Sequence, residues 1–180
     1  MTIQGTRIRL RAIERSDIPT FVRWLNDPEV VADLLLYQPI SLAQEERWFE
    51  DYLKDTDRHI FGIETANGHL IGNVALEDIN WKDRSAELGI VIGEKDHWGQ
   101  GYGTDAVRTL LRFAFQEMNL HRVSLRVFDD NARAIRCYET CGFRHEGRLR
   151  QAEFSKGRYR DELMMGILSS EFSVAEGGES

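Results

Sequence analysis

Residues 98–104 read Trp-Gly-Gln-Gly-Tyr-Gly-Thr, three glycines at alternate positions between a β-branched run, Leu88 to Ile92, and a strongly periodic stretch, Asp105 to Met118. That pattern predicts a strand, a tight turn and a helix. Glycine lets the backbone curl with its N–H groups pointing inward, and a helix start adds unpaired amides and the positive end of its dipole. Such a loop suits a phosphate-bearing ligand. Ala106, Val107, Leu110, Leu111, Ala114, Phe115 and Met118 form one apolar stripe on the helix, which must therefore pack against a sheet.

Periodicity and punctuation set the remaining elements. Arg7 to Arg11 alternates as a first strand. Ser16 or Asp17 caps a helix with Pro19 in its first turn and Ile18, Phe21, Val22 and Leu25 on its buried face, stopped by Asn26-Asp27-Pro28. Glu29 to Ile40 reads as irregular, and Ser41 with Gln44 forms a capping box for a helix carrying Trp48, Phe49, Tyr52 and Leu53. Asn67-Gly68 joins strands His59 to Thr65 and His69 to Glu77 as a hairpin, and Ala86 to Ile92 follows as another strand. Arg122 to Phe128 alternates as a strand, and a helix from Ala132 to Cys141 ends at Gly142. Leu149 to Ser155 and Tyr159 to Leu168 turn at Lys156-Gly157, while 171–180 is polar and expected to fray. The order β-α-α-β-β-β-α-β-α-β-β predicts an α/β (α+β) chain, one domain over 1–170 with helices packed on a mixed sheet.

At 180 residues, 42% of them hydrophobic, the chain can bury a core without staples. A net charge of −7 and an isoelectric point near 5.3 argue against a duplex nucleic-acid binder and favour cationic partners. No run reaches the ~18 apolar residues of a membrane span, and Met1 to Leu10 lacks a secretory apolar core, so the expected setting is the cytoplasm, with no membrane partner. Cys137 and Cys141, four apart on one helix, read as buried thiols in a reducing compartment. Five scattered histidines show no metal-ligand spacing, and no metal is expected.

Other phosphate loops match poorly. A Walker loop ends in Gly-Lys-Ser/Thr, whereas Gly103-Thr104-Asp105 has no lysine. A dinucleotide loop needs Gly-x-Gly-x-x-Gly in an opening βαβ unit, and here Gly-x-Gly-x-Gly follows an antiparallel hairpin. A plain helix-capping turn stays open. With its surroundings, however, the loop resembles the acetyl-CoA signature of the GNAT superfamily of N-acetyltransferases, Gln/Arg-x-x-Gly-x-Gly/Ala. Gly101-Tyr102-Gly103 match it, and Trp98 stands where the signature has a polar residue. Asn131 to Phe143 resembles the second signature, Asn-x-x-Ala-x-x-x-Tyr-x-x-x-Gly-Phe, and the likeness runs from Ile8 to about Leu168. Arg7-Ile8-Arg9-Leu10-Arg11, Ala86-Glu87-Leu88-Gly89-Ile90 and Gly157-Arg158-Tyr159-Arg160-Asp161 look like the RimJ/RimL type, which includes ribosomal-protein N-terminal and polyamine acetyltransferases.

The resemblance implies the GNAT fold, a mixed, mostly antiparallel sheet splayed in the middle with helices on both faces. It implies acetyl-CoA as co-substrate, with the pantetheine arm between Leu88 to Ile92 and Ser124 to Phe128, on backbone groups of Ile90, Val91 and Ile92. The diphosphate would lie on Gln100, Gly101, Tyr102, Gly103 and Thr104, with Trp98, Gly99 and Arg136 also on the cofactor; Asn131 would bond the arm and is equally placed to be a plain helix cap. Acetyl transfer to an amine needs a base, because an alkylamine with a pKa near ~10 is protonated at neutral pH, and an acid for the departing thiolate. Glu87, expected on the face opposite Ala86, Leu88 and Ile90, is the candidate base or else a structural carboxylate, and Tyr138 matches the family's general acid. Asp33 and Tyr37 in the segment Asn26 to Ile40, together with Trp81, would bind the acceptor: a small amine, a polyamine or a protein N terminus. Direct attack in a ternary complex is the leading reading, a non-catalytic acyl-CoA sensor the second, and a homodimer is expected from the group.

Overall fold

In the computed structural model, which describes residues 1–173, alternation along the strands sorts apolar side chains between two layers of helices. The strands are β1 (Ile3–Gln4), β2 (Ile8–Ala12), β3 (His59–Thr65), β4 (Leu70–Asn80), β5 (Ser85–Ile92), β6 (Arg122–Phe128), β7 (Arg144–Ser155) and β8 (Arg158–Leu168). The helices are α1 (Ile18–Leu25), α2 (Leu42–Tyr52), α3 (Tyr102–Gln116) and α4 (Ala132–Thr140). The sheet runs β1-β2-β3-β4-β5-β6-β8-β7, antiparallel throughout except between β5 and β6. Ile63, Val74 and Leu76 meet Val107, Leu110, Leu111 and Ala114 of α3 on one face. Ile60 and Ala75, one residue out of phase, meet Phe21 and Trp24 of α1 and Phe49 of α2 on the other. Each such large side chain contributes about 1.5–3 kcal/mol by leaving water.

Local signals act where the sequence places them. Ser41 Oγ accepts from the Gln44 amide and the Gln44 side chain accepts from the Ser41 amide at 2.9 Å, closing the capping box of α2. Gly68 turns the β3–β4 hairpin at φ 80°, and Gly142 ends α4 at φ 98°. The N-cap position of α1 is Asp17, but its carboxylate accepts from the Glu14 amide at 2.8 Å and from the Arg11 guanidinium at 2.8 and 3.0 Å rather than from α1.

Several boundaries differ from expectation. Helix α3 begins at Tyr102, not Asp105, because Gly101 in the left-handed region serves as its N-cap and the glycine loop leads straight into the first turn. Asp105 instead accepts the backbone N–H groups of Thr6, Arg7 and Ile8 at 3.1, 2.7 and 3.1 Å, fastening the start of the chain to the helix. The segment Asn26 to Ile40 contains a 3-10 turn at Val30–Asp33. Strand β7 starts at Arg144 rather than Leu149; it is an edge strand exposed along most of its length, which leaves no hydrophobic alternation to read. Fraying does not start at 171: Glu171 accepts from the Leu168 amide at 3.0 Å and pairs with Arg144, and Phe172 packs on Phe115. The rest of that expected tail, 174–180, lies outside the described residues. Among the described residues, no helix is long and apolar enough to cross a membrane.

The centre of the sheet is open. β5 and β6 pair only at Ser85–Arg122, Ala86–Val123 and Glu87–Ser124, and beyond Glu87 they diverge. Backbone groups of Leu88 to Ile92 that would face β6 therefore lack a strand partner there and can serve a ligand.

Candidate active site

The divergence forms a cavity of about 830 Å³ between β5, β6, the glycine loop and α4. Gly99 and Gly101 adopt φ of 70° and 84°, conformations strained for any side chain. The first intrahelical bond runs from the Asp105 amide to the Gly101 carbonyl, and among the described residues the amides of Gly99 to Thr104 find no carbonyl partner outside the helix. The first turn offers them none inside it. These are the donors a diphosphate needs. Arg7 bonds the Gln100 carbonyl and lies 4.2 Å over the Tyr102 ring, bracing the loop from behind.

Trp98, where the signature has a polar side chain, donates its indole N–H to the Ile92 carbonyl at 2.7 Å and carries Arg133 stacked 4.2 Å over its ring. The Ile92 carbonyl is thereby engaged, and the Val91 carbonyl lies against Gly72 of β4, which leaves Ile90 as the freer position for the arm. The Gln100 side chain turns away to the Asp96 carbonyl and does not line the cavity, so a side-chain role toward phosphate is not supported. Gly101, Tyr102, Gly103, Thr104 and Arg136 do line it. Asn131 does as well, while its Oδ1 caps α4 by accepting from the Ala134 amide at 3.1 Å; both readings of that residue coexist. Arg133, absent from the sequence-derived set, lines the same end and adds a cation.

Tyr138, on α4, is 7% exposed and packs edge-on against Phe143. It borders the cavity. Burial above all, then the neighbouring Cys137 and Cys141, pushes the phenol pKa upward, which keeps it protonated and able to donate. Cys137 is half-buried at the cavity wall rather than sealed, and accepts from Thr104 Oγ1 at 3.5 Å; the adjacent Cys141 thiol and this bond hold its thiol below the ordinary cysteine range.

Glu87 lines the cavity at the point of divergence, on the face opposite buried Ala86 and Leu88. Arg126 Nε donates to it at 3.2 Å. Sequence reasoning missed its neighbours Glu77, directly across on β4, Arg126 on β6, and Glu162 on β8. The available signal was a charge at an inward phase of an alternating strand, as at Arg160 and Glu162. Burial raises the pKa of both Glu77 and Glu162.

The expected acceptor residues are only partly assembled. Asp33 borders the cavity, but Arg160 holds it at 2.8 Å; the same buried guanidinium bonds Asp130 and the Ala32 carbonyl and stacks 3.6 Å over Phe128. Asp33 is a loop anchor. Tyr37 is 92% exposed and Trp81 51% exposed, and neither lines the cavity. Leu34 and Leu35 form that wall instead of Tyr37, and Trp81 sits at the tip of the β4–β5 turn, which Asn80 and Asp83 close with 3.0 Å bonds.

The model for an acetyltransferase (GNAT) domain matches residues 7–144. Spermidine N(1)-acetyltransferase of Vibrio cholerae is 34% identical over 169 residues, covering 93% of this chain and 96% of that protein. The protein of the same name from Escherichia coli K12 is 29% identical over 166 residues, covering 92% and 88%. A crystal structure of the spermidine N-acetyltransferase from Vibrio cholerae in complex with CoA and spermine superposes with a TM-score of 0.87 at 33% identity, over 93% of this chain and 98% of that one. These relatives are named for spermidine and not for a ribosomal protein, which narrows the RimJ/RimL-type expectation. The chain belongs to the GNAT acetyltransferase domain family and is an acetyl-CoA-dependent N-acetyltransferase.

Proposed function

We propose that the enzyme acetylates a polyamine or a similar small aliphatic amine by direct attack within a ternary complex at the β5–β6 splay. The observation that carries this reading is the polarity of one continuous cavity, with unpaired amides, Arg133 and Arg136 at one end and Glu77, Glu87 and Glu162 at the other. The first end suits a diphosphate, the second an ammonium. The spermidine-named relatives support the same acceptor. A protein N terminus brings a single ammonium on a bulky chain and leaves more of the acidic wall unmatched. In this scheme the backbone of Ile90 holds the arm, Glu87 takes the amine proton directly or through water, and Tyr138 donates to the departing sulfur. The sensor reading has no feature in its favour. We place the reaction in the cytoplasm and assign it to a single domain spanning 1–170.

Free-thiol release from acetyl-CoA, followed across polyamines, simple amines and peptide N termini, tests the assignment. Saturable release that depends on polyamine is expected; release with peptides alone, or tight CoA binding without release, would overturn it.

We also propose a homodimer. Among the described residues strand β7 pairs only with β8, and Leu149, Phe154, Tyr159 and Met164 stand exposed on this outer hairpin. Light scattering should give twice 20.8 kDa. A monomer at micromolar concentration would reject the dimer.

A further inference from the structure

Four carboxylates are buried among the described residues, and two of them are heavily bonded. Asp17 accepts from a backbone amide and a guanidinium, and Glu64 accepts from both Arg9 and Arg11. Glu162 is not. It is 4% exposed, borders the cavity, and has no hydrogen bond among the described residues; the nearest cation, Arg126 Nη1, stands 3.6 Å away. That guanidinium is already bonded to Glu87, so one positive charge serves two carboxylates. Glu77 adds a third on the neighbouring strand, with Arg58 no closer than 3.8 Å. Glu45 is another buried carboxyl without a resolved bond, but it lies on α2, outside the cavity wall.

A carboxylate that keeps little water and shares its nearest cation with a second carboxylate is stabilised when a further cation arrives. Glu77 and Glu87 stand directly opposite each other on β4 and β5, Arg126 lies two residues beyond Ser124, the β6 partner of Glu87, and Glu162 lies further along, opposite Phe128 on β8; Arg126 bridges the gap, bonded to Glu87 at 3.2 Å and 3.6 Å from Glu162. A monoamine delivers one charge, and the base at Glu87 consumes it as the proton leaves. We propose that Glu162 binds a second ammonium group on the acceptor and so selects dicationic over monocationic amines; this rests on the amine-acetyltransferase reading above. The second ammonium stays protonated throughout the reaction and shares Glu162 with Arg126.

The test compares wild type, Glu162→Gln and Glu162→Asp with 1,4-diaminobutane and n-butylamine, two acceptors of equal carbon length. Glu162→Gln should raise KM for the diamine about tenfold or more, leave KM for butylamine within about twofold and change kcat little; Glu162→Asp should recover part of the loss. Thermal melting should change little in Glu162→Gln, because only the 3.6 Å pair with Arg126 is lost and Arg126 keeps Glu87. Equal losses for both amines, or a loss carried by kcat, would overturn the specificity role, as would an unchanged KM for the diamine. If wild type acetylates neither amine, the reading of the acceptor falls first and takes this inference with it; if wild type is active and the variant does not discriminate, only the role of Glu162 falls.

Discussion

Tyr138→Phe should fold normally, bind acetyl-CoA with affinity within about twofold of wild type, and turn over about a hundredfold or more slowly, the usual scale of a lost general acid. The variant removes one oxygen and keeps the ring, so packing against Phe143 is retained. Stability should therefore hold, and the loss should sit in kcat. Because burial raises the phenol pKa, the wild-type enzyme should show no alkaline decline from this group until well above neutrality. Steady-state kinetics with both substrates varied, together with a melting curve, checks all of this. Equal turnover in the variant would reduce Tyr138 to a packing residue.

Glu87→Gln should lower kcat/KM at pH 7 about a hundredfold and change the shape of the pH profile. With the carboxylate present, the amine binds as the ammonium and loses its proton inside the site. Without it, only amine already neutral in solution reacts, and the rate should climb about tenfold per pH unit toward the amine pKa of ~10. Stability should change by no more than about 1 kcal/mol, since the pair with Arg126 is a partly exposed one. A variant whose profile parallels that of wild type would remove Glu87 as the base and leave it a strand-edge carboxylate.

Much of the fold was legible because its signals are local. The capping box at Ser41, the hairpin glycine at Gly68, the stripe on α3 and the glycine ending α4 each depend on a few adjacent residues. The cofactor side was legible for the same reason: Gly99 to Thr104 form a contiguous cradle that later packing only braces. Strand β7 was cut short because an exposed edge strand leaves no periodic trace.

The acceptor side is assembled from four strands and a loop, so its chemistry is a matter of register. Glu77 faces Glu87 only because β4 and β5 align those positions, and Glu162 reaches the cavity only because β8 pairs with β6. Asp33 looked like a free acid until Arg160, far along the chain, proved to hold it. Tyr37 and Trp81 carried suitable chemistry at positions the fold turns outward.

The most direct test of the account is a crystal structure of the enzyme with CoA. The account predicts the diphosphate on the amides of Gly99 to Thr104, the arm between β5 and β6, and the sulfur within hydrogen-bond reach of the Tyr138 hydroxyl, about 3–3.5 Å. A sulfur held elsewhere, with Tyr138 still closed against Phe143 and the space between β5 and β6 empty of the arm, would contradict it.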